Sequence, residues 1–185
     1  MRAGRRRRAD AQRSVDAILE AAREVLAADP TAELRLIVER SGLNRSTVYR
    51  HFRTREHLIA AVYDDYVDQV TASMVSLDAN APDILAELRR VTLEVLRLAD
   101  RWRPFRYSPP FPDTVNERRD QMIAAVVAVM ERGLAEGLLR QDLTPWELST
   151  AWSVPLPYAS TLIEQGVWSF DEAADFMLVL VAPRR

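Results

Sequence analysis

The chain has 185 residues, of which 48% are hydrophobic and 28% charged, and it contains no cysteine. That length and apolar share can bury a real core, which excludes a disordered tail or a mini-protein. The lack of cysteine excludes disulfides, thiol nucleophiles, iron–sulfur clusters and cysteine-ligated zinc, and it fits a reducing, cytoplasmic setting.

The formal charge of −2 hides an asymmetry. Residues 1–55 carry 13 arginines against 7 acids, net +6, whereas residues 56–185 carry 12 arginines against 20 acids, net −8. A basic head on an acidic body fits a polyanion bound at one end only. The basic stretch Met1–Arg8 is followed by Asp10, Gln12 and Arg13, where a signal peptide needs an apolar core. No run approaches roughly 18 uninterrupted apolar residues, so a soluble protein without membrane contact is expected.

Apolar residues recur mostly at helical spacing, and an all-α chain is predicted. After a basic, disordered arm over residues 1–13, the first helix is predicted over Ser14–Ala28, where Val15, Ile18, Leu19, Ala22, Val25 and Leu26 form a stripe and Asp29-Pro30 stops it. A short helix containing Leu34, Ile37 and Val38 should end at Ser41-Gly42, with Gly42 as a left-handed C-cap. Asn44 can cap a third helix to about His51, and Thr54 a fourth from Arg55 to about Ser76. Ile84, Leu88, Val91, Val95, Leu98 and Trp102 mark a fifth helix. The stretch Arg103–Pro112 holds four prolines and cannot be regular helix. A long helix from about Thr114 to Glu136 follows, and capping boxes at Thr144 and Ser169 open two closing helices, the first of which Pro155 and Pro157 should kink or split. The predicted organisation is an N-terminal three-helix DNA-binding unit over residues 14–54, a connecting helix over 55–76, and a larger helical ligand-binding and dimerisation domain over 77–185.

The informative segment runs from Ser41 to Phe52. A short helix, a glycine turn and a second short helix with polar outer residues meet the needs of a helix-turn-helix. Leu43, Val48 and Phe52 would pack inward. Arg45, Ser46, Thr47, Tyr49 and His51 would face out: Arg45 toward guanine, Ser46 and Thr47 toward a base edge or thymine methyl, Tyr49 and His51 toward phosphate. Arg55, in the first turn of the next helix, would serve as a further phosphate anchor. Arg5, Arg6, Arg7 and Arg8 could follow the phosphates or enter the minor groove.

The run from Asn44 to Leu58, which contains Thr47-Val48-Tyr49-Arg50-His51-Phe52 and Thr54-Arg55-Glu56-His57-Leu58, resembles the recognition helix and following helix start of TetR-family repressors. The resemblance covers about residues 14–70. It implies that Arg45, Ser46 and Thr47 read or brush bases, that Tyr49, His51 and Arg55 hold phosphates, and that the last two helices pair with those of a second copy. The link Ala28-Asp29-Pro30-Thr31 departs from the usual family pattern.

Phe176–Val181 is apolar on every side, so part of it must face something besides its own core. Leu162, Phe176, Met177 and Leu180 are the candidate residues of a homodimer interface. An effector pocket among the fifth to eighth helices would draw on Trp102, Phe105, Tyr107, Met122, Trp152 and Tyr158, with Arg103 or Arg106 anchoring an acidic group. The partners implied are double-stranded operator DNA, a second copy of the chain and a small-molecule effector, with no cofactor and no metal. Catalysis finds little support, because both histidines, His51 and His57, lie in the DNA head and no glycine-rich phosphate loop or nucleophile elbow exists. An architectural or nonspecific DNA binder remains the alternative, although it would not need an aromatic-rich acidic body. Activation in place of repression also stays open.

Overall fold

A stripe of apolar residues every three to four positions forces each amphipathic segment to hide one face, and the described residues do so entirely with helices. The computed structural model describes the backbone of residues 2–103 and 116–183 and the side chains of residues 9–103 and 118–183. Among the described residues there are nine helices: α1 (Arg2–Ala28), α2 (Leu34–Ser41), α3 (Arg45–His51), α4 (Arg55–Val75), α5 (Ile84–Arg101), α6 (Asn116–Ala135), α7 (Pro145–Ser153), α8 (Leu156–Glu164) and α9 (Phe170–Val181).

The fold is all-helical, as expected, and most helix ends fall where their capping chemistry places them. Gly42 ends α2 at φ 67°, a left-handed conformation that costs glycine nothing. Thr54 caps α4 by accepting from the His57 N–H at 3.2 Å. Asn44 stands at the N-cap of α3, but its side chain makes no capping bond. Both capping boxes form, Thr144 with Glu147 and Ser169 with Glu172, and the backbone N–H of each cap holds the glutamate carboxyl below its ordinary pKa. The segment bearing Pro155 and Pro157 splits into α7 and α8, since Pro155 has no N–H for the Ala151 carbonyl.

One boundary differs from the sequence expectation. The first helix begins at Arg2 and not at Ser14, so the basic segment expected to be a disordered arm is helical. Arginine and alanine are good helix formers, and no proline interrupts them before Pro30.

The described residues form two compact units. The first comprises the helices up to Tyr66 together with Trp102, and the second begins at Val67. The division falls inside α4. Its buried residues change register at that point, from Leu58 and Val62 to Val67, Thr71 and Met74, so one continuous helix supplies both units. In the first unit Ile18, Ala22, Leu26, Ile37, Val48, Phe52 and Leu58 are buried. In the second, Ile84, Leu88, Val91, Leu96, Met130, Leu139, Leu148, Trp152 and Met177 build the core. Gly133 on α6 lets Leu139 close over it, because a Cβ there would stand 2.5 Å from the leucine Cδ1.

Candidate functional site

The first unit presents α3 through a simple periodicity. Val48 and Phe52, one turn apart, are both buried, and that inward pair decides which side chains point out. Arg45 and Ser46 are exposed, and Thr47 and Tyr49 are half-buried beside them. The Arg45 guanidinium lies over the Tyr49 ring, 5.1 Å from its centroid, a stack that pre-orders a long side chain before it meets a ligand. Leu43, expected inside, is only half-buried.

Within the first unit, the described arginines without an ion-pair or hydrogen-bond partner gather here. Arg23, Arg35 and Arg40 are paired with Glu20, Glu39 and Glu24. Arg50 and Arg53 are exposed and have no hydrogen-bond or ion-pair partner among the described residues. Sequence reasoning passed over both; the absence of an acid three or four positions away was a usable signal for Arg50, whereas Arg53 has Glu56 three residues on. Arg45, Arg50 and Arg53 thus bring uncompensated positive charge to α3 and the link that follows it.

Two expected phosphate ligands are placed differently. His51 is half-buried, with its Nε2 enclosed and without a hydrogen-bond partner. Arg55 points back to the α1–α2 link, where Nε donates to the Ala32 carbonyl at 2.8 Å and Nη2 to the Pro30 carbonyl at 2.5 Å. A cation at a helix N-terminus is repelled by the amide dipoles and gains by turning to carbonyl oxygens. The side chains of Arg5, Arg6, Arg7 and Arg8 lie outside the described residues.

Of the residues expected to line an effector pocket, Trp102 belongs to the first unit and Met122, Trp152 and Tyr158 to the second. Trp102 is buried in the first unit, its ring 6.1 Å from that of Tyr66. Trp152 is fully buried in the core of the second unit, where its Nε1 donates to the Thr92 hydroxyl at 3.0 Å and Thr92 in turn donates to the Leu88 carbonyl at 2.7 Å. Met122 packs half-buried against that same core. Tyr158 is 66% exposed and Arg103 is exposed. Phe105, Arg106 and Tyr107 lie outside the described residues. An indole whose N–H is satisfied by a buried hydroxyl is a core residue first. An open groove along α5, lined by Arg90, Glu94, Arg97, Leu98 and Arg101, involves none of the expected set.

The closing helices sort their apolar residues into two faces. Met177 is fully buried among its own chain's core residues and so is no part of an outer surface, a correction that follows from its inward register with Ala173 and Val181. Leu180 packs half-buried against the core, and Leu162 is half-buried. Phe176 is 39% exposed and lies 5.0 Å from Trp168, while Val154 and Val179 are 68% and 69% exposed. Val154 and Val179, which are not among the expected interface residues, are thus more exposed than any of those, and slightly more than Tyr158.

Residues 18–62 match the model for bacterial regulatory proteins of the tetR family. Over 142 residues the chain is 30% identical to the HTH-type transcriptional repressor LfrR of Mycolicibacterium smegmatis, covering 77% of this chain and 72% of that one. The chain belongs to the TetR family. As a TetR-family protein it is a DNA-binding transcription regulator, with α2 and α3 as its helix-turn-helix. The structure of LfrR from Mycobacterium smegmatis in complex with proflavine matches with a TM-score of 0.66 and 25% identity, over 91% of this chain and 93% of that one. A TetR-family regulator from Marinobacter aquaeolei VT8 shares the fold with a TM-score of 0.68 at 21% identity, over 97% and 100% of the two chains. No helix among the described residues is long and apolar enough to cross a membrane.

Proposed function

We propose that this TetR-family regulator is a homodimeric repressor that holds a palindromic operator and is released from it by a small organic effector. The observation that carries the reading is the face of α3, where exposed Arg45 and Ser46 and half-buried Thr47 stand beside the unpaired Arg50 and Arg53. Arg45 reads guanine, Ser46 and Thr47 meet base edges or a thymine methyl, and Tyr49, Arg50 and Arg53 hold the backbone. The exposed apolar side chains of Tyr158, Phe176 and Val179 supply the dimer contact, with Leu162 and Leu180 at its margin. The repressor LfrR, a relative whose solved structure holds proflavine, supports both repression and a small aromatic effector.

Release would be mechanical. Helix α4 is continuous from Arg55 to Val75 and contributes to both cores, so an effector that shifts its second half moves the first. Two recognition helices must enter successive major grooves about 34–36 Å apart, and a shift of several ångströms breaks one half-site.

The test begins with selecting a binding site from randomised duplex DNA, for which a palindrome is expected. Arg45→Ala should cost roughly 1–3 kcal/mol on that site and relax base preference at one position in each half. Undiminished affinity and preference would remove Arg45 from base reading. Proflavine is the first effector probe. If it weakens operator binding a hundredfold, linkage requires that operator weaken proflavine binding by the same factor, a coupling of about 2.7 kcal/mol. Equal proflavine affinity with and without saturating operator would end the release model for that compound.

A further inference from the structure

Arg55 opens α4, yet its guanidinium is committed to the other end of the helix-turn-helix unit. Within the α1–α2 link, Thr31 and Ala32 donate to Asp29. Thr31 donates from its N–H and its hydroxyl to Asp29 Oδ1 at 2.8 and 2.7 Å, and the Ala32 N–H donates to the Asp29 carbonyl at 3.0 Å. The carbonyls of Pro30 and Ala32 are left to accept, and the two arms of Arg55 meet both of them, at 2.5 and 2.8 Å. The bonded carboxylate of Asp29 is held below its ordinary pKa by these Thr31 bonds and, in smaller part, by the charge of Arg55.

The consequence lies in chain length. Residues 52–54 alone separate the end of α3 from Arg55. The near end of α3 is fixed by the turn at Ser41-Gly42, where the Ser41 hydroxyl donates to the Val38 carbonyl and accepts from the Leu43 N–H. The far end is held by the buried Phe52 and by the short link to α4, whose first residue is strapped to the α1–α2 link. We infer that Arg55 is a positioning residue for DNA reading: its fork pins the start of α4 to the Pro30 and Ala32 carbonyls and so sets the pose of α3, without itself neutralising a phosphate. This inference rests on the operator reading above. A lysine ammonium keeps the charge but cannot offer the rigid, diverging pair of donors that two carbonyls require.

The experiment compares the full-length wild type, Arg55→Ala and Arg55→Lys on the selected site and on random duplex, each across a salt series, with amide hydrogen exchange over residues 29–36. Both variants are expected to lose on the order of tenfold or more on the selected site, the scale of one spoiled base contact, while random-duplex affinity and salt slope stay at the wild-type values. Exchange across residues 29–36 should quicken in both. A salt slope reduced by about one unit in Arg55→Ala and restored in Arg55→Lys would make Arg55 a phosphate ligand and overturn the inference. Parallel losses on both DNAs, or unchanged exchange over residues 29–36, would also overturn it. If the wild type selects no site, the operator reading falls and this inference falls with it. If the wild type selects a site that Arg55→Lys binds equally well, the inference alone falls. Should Arg55→Ala fail to fold, Arg55→Lys and its exchange profile decide the matter by the same criteria.

Discussion

Trp152→Ala is expected to lower the stability of the second unit by about 3–5 kcal/mol, the range for removing a large, fully buried aromatic side chain. Trp152 is 0% exposed and sits among the side chains that join α5, α6, α7 and α9. Truncation leaves a cavity whose walls are held by helices on several sides and cannot all collapse into it. It also deprives Thr92, itself fully buried, of the donor that occupies its oxygen. Trp152→Phe keeps most of the ring and removes the hydrogen bond, so a cost of about 1 kcal/mol is expected from that contact. Urea denaturation followed by circular dichroism measures both. A loss below about 1 kcal/mol for Trp152→Ala would show that the site repacks. The comparison matters for the effector as well, because lost ligand binding in the alanine variant would report a damaged core, whereas the phenylalanine variant tests ligand contact cleanly.

The other large effect is expected at Val179, which is 69% exposed in the single chain. An aspartate there should cost the isolated chain little, since its charge stays in water. In the proposed dimer the same carboxylate would be buried without a partner, and Val179→Asp should yield folded monomers in light scattering. A monomer holds one half-site and loses the second, effectively intramolecular, binding event, so operator affinity should fall by about a hundredfold or more. A dimer that survives Val179→Asp would place the interface elsewhere. Met177→Asp would be uninformative, because it puts a charge into the chain's own core.

Much of the DNA head could be read directly. Val48 and Phe52 stand one turn apart in a seven-residue helix, so fixing them inside leaves Arg45 and Ser46 outside by geometry. Glycine at position 42 and threonine at position 54 act within their own turns, and local chemistry of that kind is visible in sequence. The hydrogen bonding of Arg55 was not visible, because its partners Pro30 and Ala32 lie 25 and 23 residues away and offer only backbone oxygens. No side-chain pattern records a carbonyl left over by a turn.

The closing helices show the same division. Capping boxes and prolines set where α7, α8 and α9 begin, but Phe176–Val181 is so uniformly apolar that periodicity cannot say which side is inside. Packing against α5 and α7 decided it, taking Met177 and Val181 inward and leaving Phe176 and Val179 out. Trp152 likewise looked equal to Tyr158 as a pocket aromatic until the fold brought Thr92, sixty residues earlier, to its indole N–H. Sequence by itself determined the all-helical class, the helix-turn-helix and which side chains of α3 face outward, since these follow from short-range periodicity and from capping within a few residues. Tertiary structure alone decided which arginine is strapped to backbone, which tryptophan is core and which apolar face stays open, because each depends on groups far apart in the chain meeting in space.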